Sequence, residues 1–151
     1  MFEAILLTHT AATLYMVGLI WMVQRVHYPL FDGVGEERFA AYEGRHTRAI
    51  TPIVLPVMVV ELASAIGLVF VKPAVASGLA LPRWMPWTGV GLVLFVWAVT
   101  FCLSVPQHVK LAKGFDRKAH RLLVGTNWMR TAGWSLRGGL AVWMLALVMR
   151  G

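Results

Sequence analysis

Histidines and arginines are the residues of this chain best suited to chemistry, because their side chains can move protons, ligate metals or hold an oxyanion. Four of the five histidines fall near the same ends of different apolar segments: His27, His46, His108 and His120. Imidazole accepts protons near neutral pH and ligates transition metals and haem iron. No two of the four are spaced i, i+4, so spacing leaves two readings open: a metal or haem site, or separate acid–base and hydrogen-bonding residues.

Residues 116–138 carry a polar stripe on an apolar helix. Asp116 can cap this helix, since no proline follows it. At helical spacing, one broad face holds His120, Asn127, Arg130, Thr131, Trp134 and Arg137. Arginine at the centre of a membrane helix costs roughly +2.5 to +3.5 kcal/mol on insertion scales, so the stripe must face protein, water or a ligand.

These residue types suit an enzyme that removes a proton from a lipophilic substrate. Either His108 or His120 would take the proton, and Asn127 with Arg130 would hold the developing oxyanion. The predicted substrate-binding residues are His27, His46, Trp97, Trp128 and Trp134, the tryptophans offering stacking surfaces. Hydrogen bonding between helices is the alternative role of Asn127 and Arg130.

The composition indicates an integral membrane protein with a single domain, residues 1–151. The chain is 58% apolar and 14% charged, with mean hydropathy +0.68, whereas a soluble domain carries about 25% charged residues. The net charge of +7 is concentrated in two short loops beside apolar segments, which fits lipid headgroups and argues against nucleic acid. A single cysteine, Cys102, excludes a disulfide framework.

The hydropathy pattern predicts an all-α membrane four-helix bundle, with spans at about 4–24, 50–71, 84–105 and 122–149. A short interfacial helix is expected between spans one and two, with Pro52 in the first turn of span two. Nine basic residues lie in the two loops on one side: Arg25, Arg38, Arg45, Arg48, Lys110, Lys113, Arg117, Lys118 and Arg121. Only Lys72, Arg83 and Arg150 lie on the other. We therefore expect a bacterial inner membrane location with both termini on the non-cytoplasmic side.

Glu61 and Arg137 lie near the middle of spans two and four. Glu61 is the only acid in any predicted span, so the two residues are expected to form an ion pair. The pair could lock the two spans together or line a substrate or proton route. His9 lies in the opposite half of the bundle from the other histidines.

At the cytoplasmic end we expect a polar cavity, open toward that leaflet and positive in charge because no acid lies near Arg130. Its predicted boundary residues are His27, His46, His108, Asn127 and Arg130.

The motifs S-V-P-Q-H after span three and T-N-W-M-R-T at the start of span four resemble the anthrone oxygenase-like family of small four-span membrane proteins. Pro106, Asn127, Arg130 and Thr131 match that family's motif, and Pro29 and Pro52 fit its layout. The resemblance implies a monooxygenase that converts a polyketide anthrone to an anthraquinone and requires neither metal nor flavin.

The function expected from the sequence is an oxygenase-like or related redox enzyme acting on a lipophilic aromatic substrate. One alternative is a membrane subunit or assembly factor without catalysis, in a homo-oligomer or a larger complex, whose polar groups only specify packing. Another is a metal- or haem-binding protein ligated by the four clustered histidines. A carrier or channel would need an oligomer, because four spans form too narrow a bundle.

Overall fold

Four long helices account for the four predicted spans in the computed structural model, which describes residues 1–71 and 81–150. They cover Phe2–His27, Glu36–Phe70, Trp84–Leu111 and Arg117–Arg150, and each is long and apolar enough to cross a membrane. No strand occurs in the described ranges. Lys72 and most of the proline-punctuated outer loop fall in residues 72–80, outside the described part of the chain.

Two of the four helices change geometry before they end. The first consists of α1 (Phe2–Met22) and a π-helical turn (Val23–His27), followed by a 3₁₀ segment (Pro29–Val34). The third consists of α3 (Trp84–Val99), a π-helical turn (Thr100–Ser104) and α4 (Val105–Leu111). The second and fourth are the uninterrupted helices α2 (Glu36–Phe70) and α5 (Arg117–Arg150).

The segment expected to be a separate interfacial helix is the first part of α2. The helix begins at Glu36, runs through Pro52 and Pro56, and ends at Phe70. Pro52 therefore lies inside the helix and not at its first turn, which corrects the expected boundary. The Thr51 hydroxyl donates a 2.6 Å hydrogen bond to the carbonyl of Thr47, one helical turn earlier.

The helices form a ring in the order α1, α2, α3, α5, in which each packs against its two neighbours. Two apolar clusters fill the interior. The first surrounds Phe31, Phe39 and Trp134, and the second surrounds Leu6, Met85 and Met144. Between them lies a layer of five of the buried polar residues: His9, Thr13, Glu61, Ser64 and Arg137.

The outer surface of the bundle is apolar over much of its length. Large side chains such as Leu94, Leu136 and Trp143 are more than half exposed. Apolar surface of this extent is unfavourable in water and favourable against lipid. The chain is therefore a membrane protein, and the lipid bilayer is its expected environment.

Capping at the start of α5 is as predicted. An Asp116 carboxylate oxygen accepts hydrogen bonds from the backbone N–H groups of Lys118 (2.8 Å) and Ala119 (2.9 Å). These contacts satisfy two of the backbone donors that have no partner within the helix. They fix the beginning of the helix that carries the polar stripe.

Candidate functional site

A cavity of about 410 Å³ lies between the first three helices, near the end that carries the two basic loops. Its apolar walls include Met16, Ile20, Val54, Met58 and Phe101. Several lining residues of α2 and of the third helix are exposed on the outer surface, among them Leu55, Phe101 and Val109. The cavity therefore opens sideways, between α2 and the third helix, toward the surface that faces lipid.

Polar side chains gather at one end of this cavity, where Tyr28, His46, His108 and Arg130 are lining residues. The Tyr28 hydroxyl lies 2.9 Å from Nε2 of His108, and Nδ1 of the same ring lies 2.5 Å from Oε1 of Glu43. Nδ1 of His46 lies 2.9 Å from Nε2 of His27. Side chains from three segments that are distant in sequence thus meet as one polar group, which contains two hydrogen-bonded sets, Tyr28–His108–Glu43 and His27–His46.

The two π-helical turns lie directly before residues of this group. The turn Val23–His27 ends next to Tyr28, and the turn Thr100–Ser104 precedes the α4 helix that carries His108. A π-helical turn inserts an extra residue and rotates everything that follows it relative to the preceding helix. These turns therefore set the direction from which Tyr28 and His108 approach the cavity.

Burial raises the pKa of the Tyr28 phenol above its ordinary value, while the nearby Arg130 guanidinium acts in the opposite direction. Tyr28 is 4% exposed. Because burial dominates, the phenol keeps its proton at neutral pH. In both ring contacts of His108, to Tyr28 and to Glu43, the donor depends on the tautomer of the ring.

Arg130 is held in place by a chain of amides. Its guanidinium donates a 3.0 Å hydrogen bond to Oδ1 of Asn127, and Nδ2 of Asn127 donates a 2.9 Å bond to Oε1 of Gln24. The guanidinium carbon also lies 5.2 Å from the ring centre of Trp134, a cation–π distance. Asn127 does not line the cavity, so it positions Arg130 and has no direct contact with the space beside it.

The expected contact between Glu61 and Arg137 is present, 3.3 Å between Oε1 and a guanidinium nitrogen. Both side chains are buried, and Trp134 donates a 2.9 Å hydrogen bond to the other carboxylate oxygen. The two groups form no hydrogen bond with each other, so the pair is held by charge. His9, as expected, lies apart from the other histidines and is 3.0 Å from Ser64.

The structure brings together three of the four histidines predicted as metal ligands. His120 is separate, because its Nε2 is 2.8 Å from the backbone carbonyl of Tyr28 and its ring is stacked on Phe31. Neither His120 nor His27 lines the cavity. Of the two predicted proton acceptors, only His108 reaches it, and the catalytic role itself stays a prediction.

The three tryptophans predicted as stacking surfaces do not line the cavity. Trp128 is 44% exposed and packs edge-on against Trp21 on the outer surface. Trp134 is fully buried against Glu61, and Trp97 lies beside Phe101. Aliphatic side chains, methionines and Phe101 form the walls in their place.

Glu43 is the residue that the sequence interpretation missed, and the expectation of a cavity with no acid nearby was wrong. Its side chain is fully buried against His108. The available signal was spacing, since Glu43 is four residues after Phe39 and three before His46, on the helix face that carries both. Glu43-x-x-His46 also matches the Glu-x-x-His spacing used by metal sites in helical bundles.

The fold and the cavity define a membrane four-helix bundle with a lateral cavity and a group of ionisable side chains at its polar end. Comparison of the chain with protein-family models, with curated proteins and with solved structures gives no match. The resemblance to the anthrone oxygenase-like family therefore stays a prediction that rests on its own motif.

Proposed function

We propose that this protein is a membrane-embedded, oxygenase-like enzyme that takes a flat, lipophilic aromatic substrate from the bilayer. The observation that carries the proposal is the lateral cavity with apolar walls and a polar end. Its volume of about 410 Å³ falls within the range of small-molecule sites, which bury a ligand in apolar walls and orient it with a few polar groups.

The position of the opening supports a substrate that is already dissolved in lipid. Leu55, Phe101 and Val109 line the cavity and are 41%, 49% and 56% exposed. A lipophilic molecule could pass between α2 and the third helix without crossing water. The same walls disfavour a charged or strongly hydrated molecule, because burying polar groups there without partners is costly.

Arg130 provides the most suitable group for the oxygen atom of such a substrate. It lines the cavity, is 6% exposed, and its Nε has no hydrogen-bond partner among the described residues. A guanidinium in a water-poor site stabilises an enolate or phenolate oxygen strongly. Holding that oxygen makes loss of the proton from the substrate carbon easier.

The family resemblance implies an anthrone as the substrate, and its oxidation balances with oxygen alone. Loss of the proton leaves a carbanion that reacts with O₂. One oxygen atom becomes the new carbonyl of the anthraquinone, the other leaves as water, and O₂ is the only oxidant needed. Of the two histidines that line the cavity, His46 has a ring nitrogen, Nε2, that is in no hydrogen bond with the described residues and could take the proton.

The experiment is anthrone oxidation by purified protein in lipid nanodiscs, followed by the absorbance of anthraquinone and by oxygen uptake. We expect the wild type to exceed empty nanodiscs and Arg130→Ala to fall to their level. Arg121→Ala is the matched control, because it removes an exposed guanidinium from the same helix. Equal rates in wild type, Arg130→Ala and empty nanodiscs would exclude this reaction.

A further inference from the structure

The geometry points to a binding site for one divalent first-row transition metal ion, formed by Glu43, His46 and His108. One ligand atom from each of these three residues lies within 4.8 Å of the others. Glu43 is fully buried and His108 is largely so. Bringing three such groups together inside an apolar bundle is costly unless each has a partner.

The ligand types fit a transition metal better than Mg²⁺ or Ca²⁺. Two imidazoles and one carboxylate are a common set for iron and zinc, whereas the alkaline-earth ions prefer oxygen ligands. Nitrogen and oxygen ligands about 2.0–2.2 Å from an ion lie about 3 Å apart when they are adjacent. Nδ1 of His108 and Oε1 of Glu43 are 2.5 Å apart, so small side-chain rotations would admit the ion.

An unpartnered carboxylate oxygen is the second, independent sign of a ligand. Oε2 of Glu43 is buried and has no hydrogen-bond partner among the residues that the structure describes. Leaving a buried acceptor unsatisfied costs about 1–3 kcal/mol, and more for a charged group. A cation beside Glu43 would give this oxygen a partner and would neutralise the charge of the buried carboxylate.

The side chains around the three ligands suit the same ion. Nδ1 of His46 is hydrogen-bonded with His27, which leaves Nε2 of His46 for a metal. Nε2 of His108 faces the Tyr28 hydroxyl, which leaves Nδ1. Ligating histidines commonly engage their second nitrogen in this way, which fixes the tautomer and the ring orientation. With a metal ion at Nδ1, the ring proton of His108 lies on Nε2, where the Tyr28 oxygen can accept it.

The site lies at the polar end of the cavity, but the inference does not depend on the proposed oxidation. The ion would occupy ring nitrogens that the metal-free protein offers to a proton. Metal binding can be measured without any lipophilic substrate, and anthrone binding can be measured in protein treated with a chelator. Failure of one proposal therefore leaves the other testable.

The test is a titration of the chelator-treated, full-length protein in detergent with Co(II), followed by its visible absorption bands and by metal analysis. We expect one Co(II) per chain, displaced by Zn(II) and not by Mg(II). Glu43→Gln and His46→Ala should each weaken binding at least about 100-fold, since outer-shell losses alone cost 10–100-fold. His9→Asn is the control, because it removes a histidine that contacts Ser64 elsewhere in the bundle.

Absence of saturable Co(II) binding by the wild type would overturn the proposal and leave Glu43 and His108 as a metal-free buried pair. Binding equal to that of the wild type in both ligand variants would overturn it as well. If a variant fails to fold, pulsed EPR of the Cu(II)-loaded wild type provides the second measurement. It counts the imidazole ligands through the ring nitrogen of each that does not bind the metal. Two imidazoles support the site, and fewer than two contradict it.

Discussion

Arg137 and Glu61 face each other across the diagonal of the bundle, with a guanidinium nitrogen 3.3 Å from a carboxylate oxygen. The helices that carry them, α2 and α5, are not neighbours in the ring, so the pair links opposite sides through long side chains. Removing one partner would leave the other charge buried and uncompensated.

We expect Glu61→Gln to lower the free energy of unfolding by about 3–5 kcal/mol, measured by thermal melting and denaturant unfolding in detergent. The double variant Glu61→Gln/Arg137→Met should recover much of this loss, because neither charge then remains. Glu3→Gln, at an exposed position of α1, is the matched control. If Glu61→Gln is as stable as the wild type, the pair does not hold the bundle together.

Gly133 lies where α5 packs tightly against α3. A Cβ at this position would lie 2.7 Å from Cγ2 of Val96, closer than side chains tolerate. We expect Gly133→Ala to destabilise the protein by about 1–3 kcal/mol, despite the higher helix propensity of alanine. Gly139→Ala, where a Cβ meets nothing within 4 Å, should be neutral or slightly stabilising.

Melting temperatures of the two glycine variants in the same detergent provide the comparison. Adding Val96→Ala to Gly133→Ala should restore part of the stability, since it removes the colliding methyl group. If both glycine variants melt alike, the helices are not packed as closely as the structure places them.

The spans and the midplane pair could be predicted from the sequence because their signals are local. Hydropathy identifies an apolar helix without reference to its neighbours, and nine basic residues mark two loops. Glu61 and Arg137 are charged residues at similar depth in otherwise apolar segments. The sequence therefore predicted each of them as the ion-pair partner of the other. Asp116 was predictable for the same reason, as a capping residue at the start of an apolar helix.

The site was less predictable because it depends on contacts between elements. Glu43 follows Glu36 and Glu37 in a segment that has the composition of a solvated loop, and its burial arises only where α2 meets His108. The π-helical turns before Tyr28 and His108 have no clear compositional signal. Trp128 lies next to Asn127 in sequence, but the helical rotation of one residue turns it to the outer surface.

The Asp116 cap predicts an acid-dependent loss of stability. Hydrogen bonds from the Ala119 and Lys118 backbone lower the pKa of Asp116 below its ordinary value of 3.8. The carboxylate therefore contributes stability above pH 3.8, and this contribution is lost as the pH falls through the lower, folded-state pKa. Asp116→Asn keeps an acceptor for the cap and cannot titrate.

We expect the wild type to lose stability relative to Asp116→Asn as the pH is lowered below 3.8 and through the folded-state pKa of Asp116. The measurement is the melting temperature of both proteins at a series of pH values. The two proteins should behave similarly at neutral pH. Parallel curves over the whole acid range would show that the cap does not contribute to the stability of α5.

Orientation in the membrane is predicted by the basic loops, which lie at the same end of the bundle as the cavity. We expect a reporter fused after Gly151 to be non-cytoplasmic, and one inserted after Lys113 to be cytoplasmic. Alkaline phosphatase and green fluorescent protein provide opposite readouts for each position. The reverse pattern would place the cavity at the non-cytoplasmic leaflet.

The central claim is that the cavity between α2 and the third helix takes a lipophilic aromatic molecule from the bilayer. Binding of radiolabelled anthrone to protein in nanodiscs, corrected for uptake by empty nanodiscs, tests this claim most directly. Val54→Trp fills the cavity from a wall position, whereas Leu136→Trp places the same ring on the outer surface. We predict one saturable site in wild type and Leu136→Trp, and at least about tenfold weaker binding in Val54→Trp, since a large side chain removes much of the ligand space. Equal uptake by all three proteins and by empty nanodiscs would contradict the account.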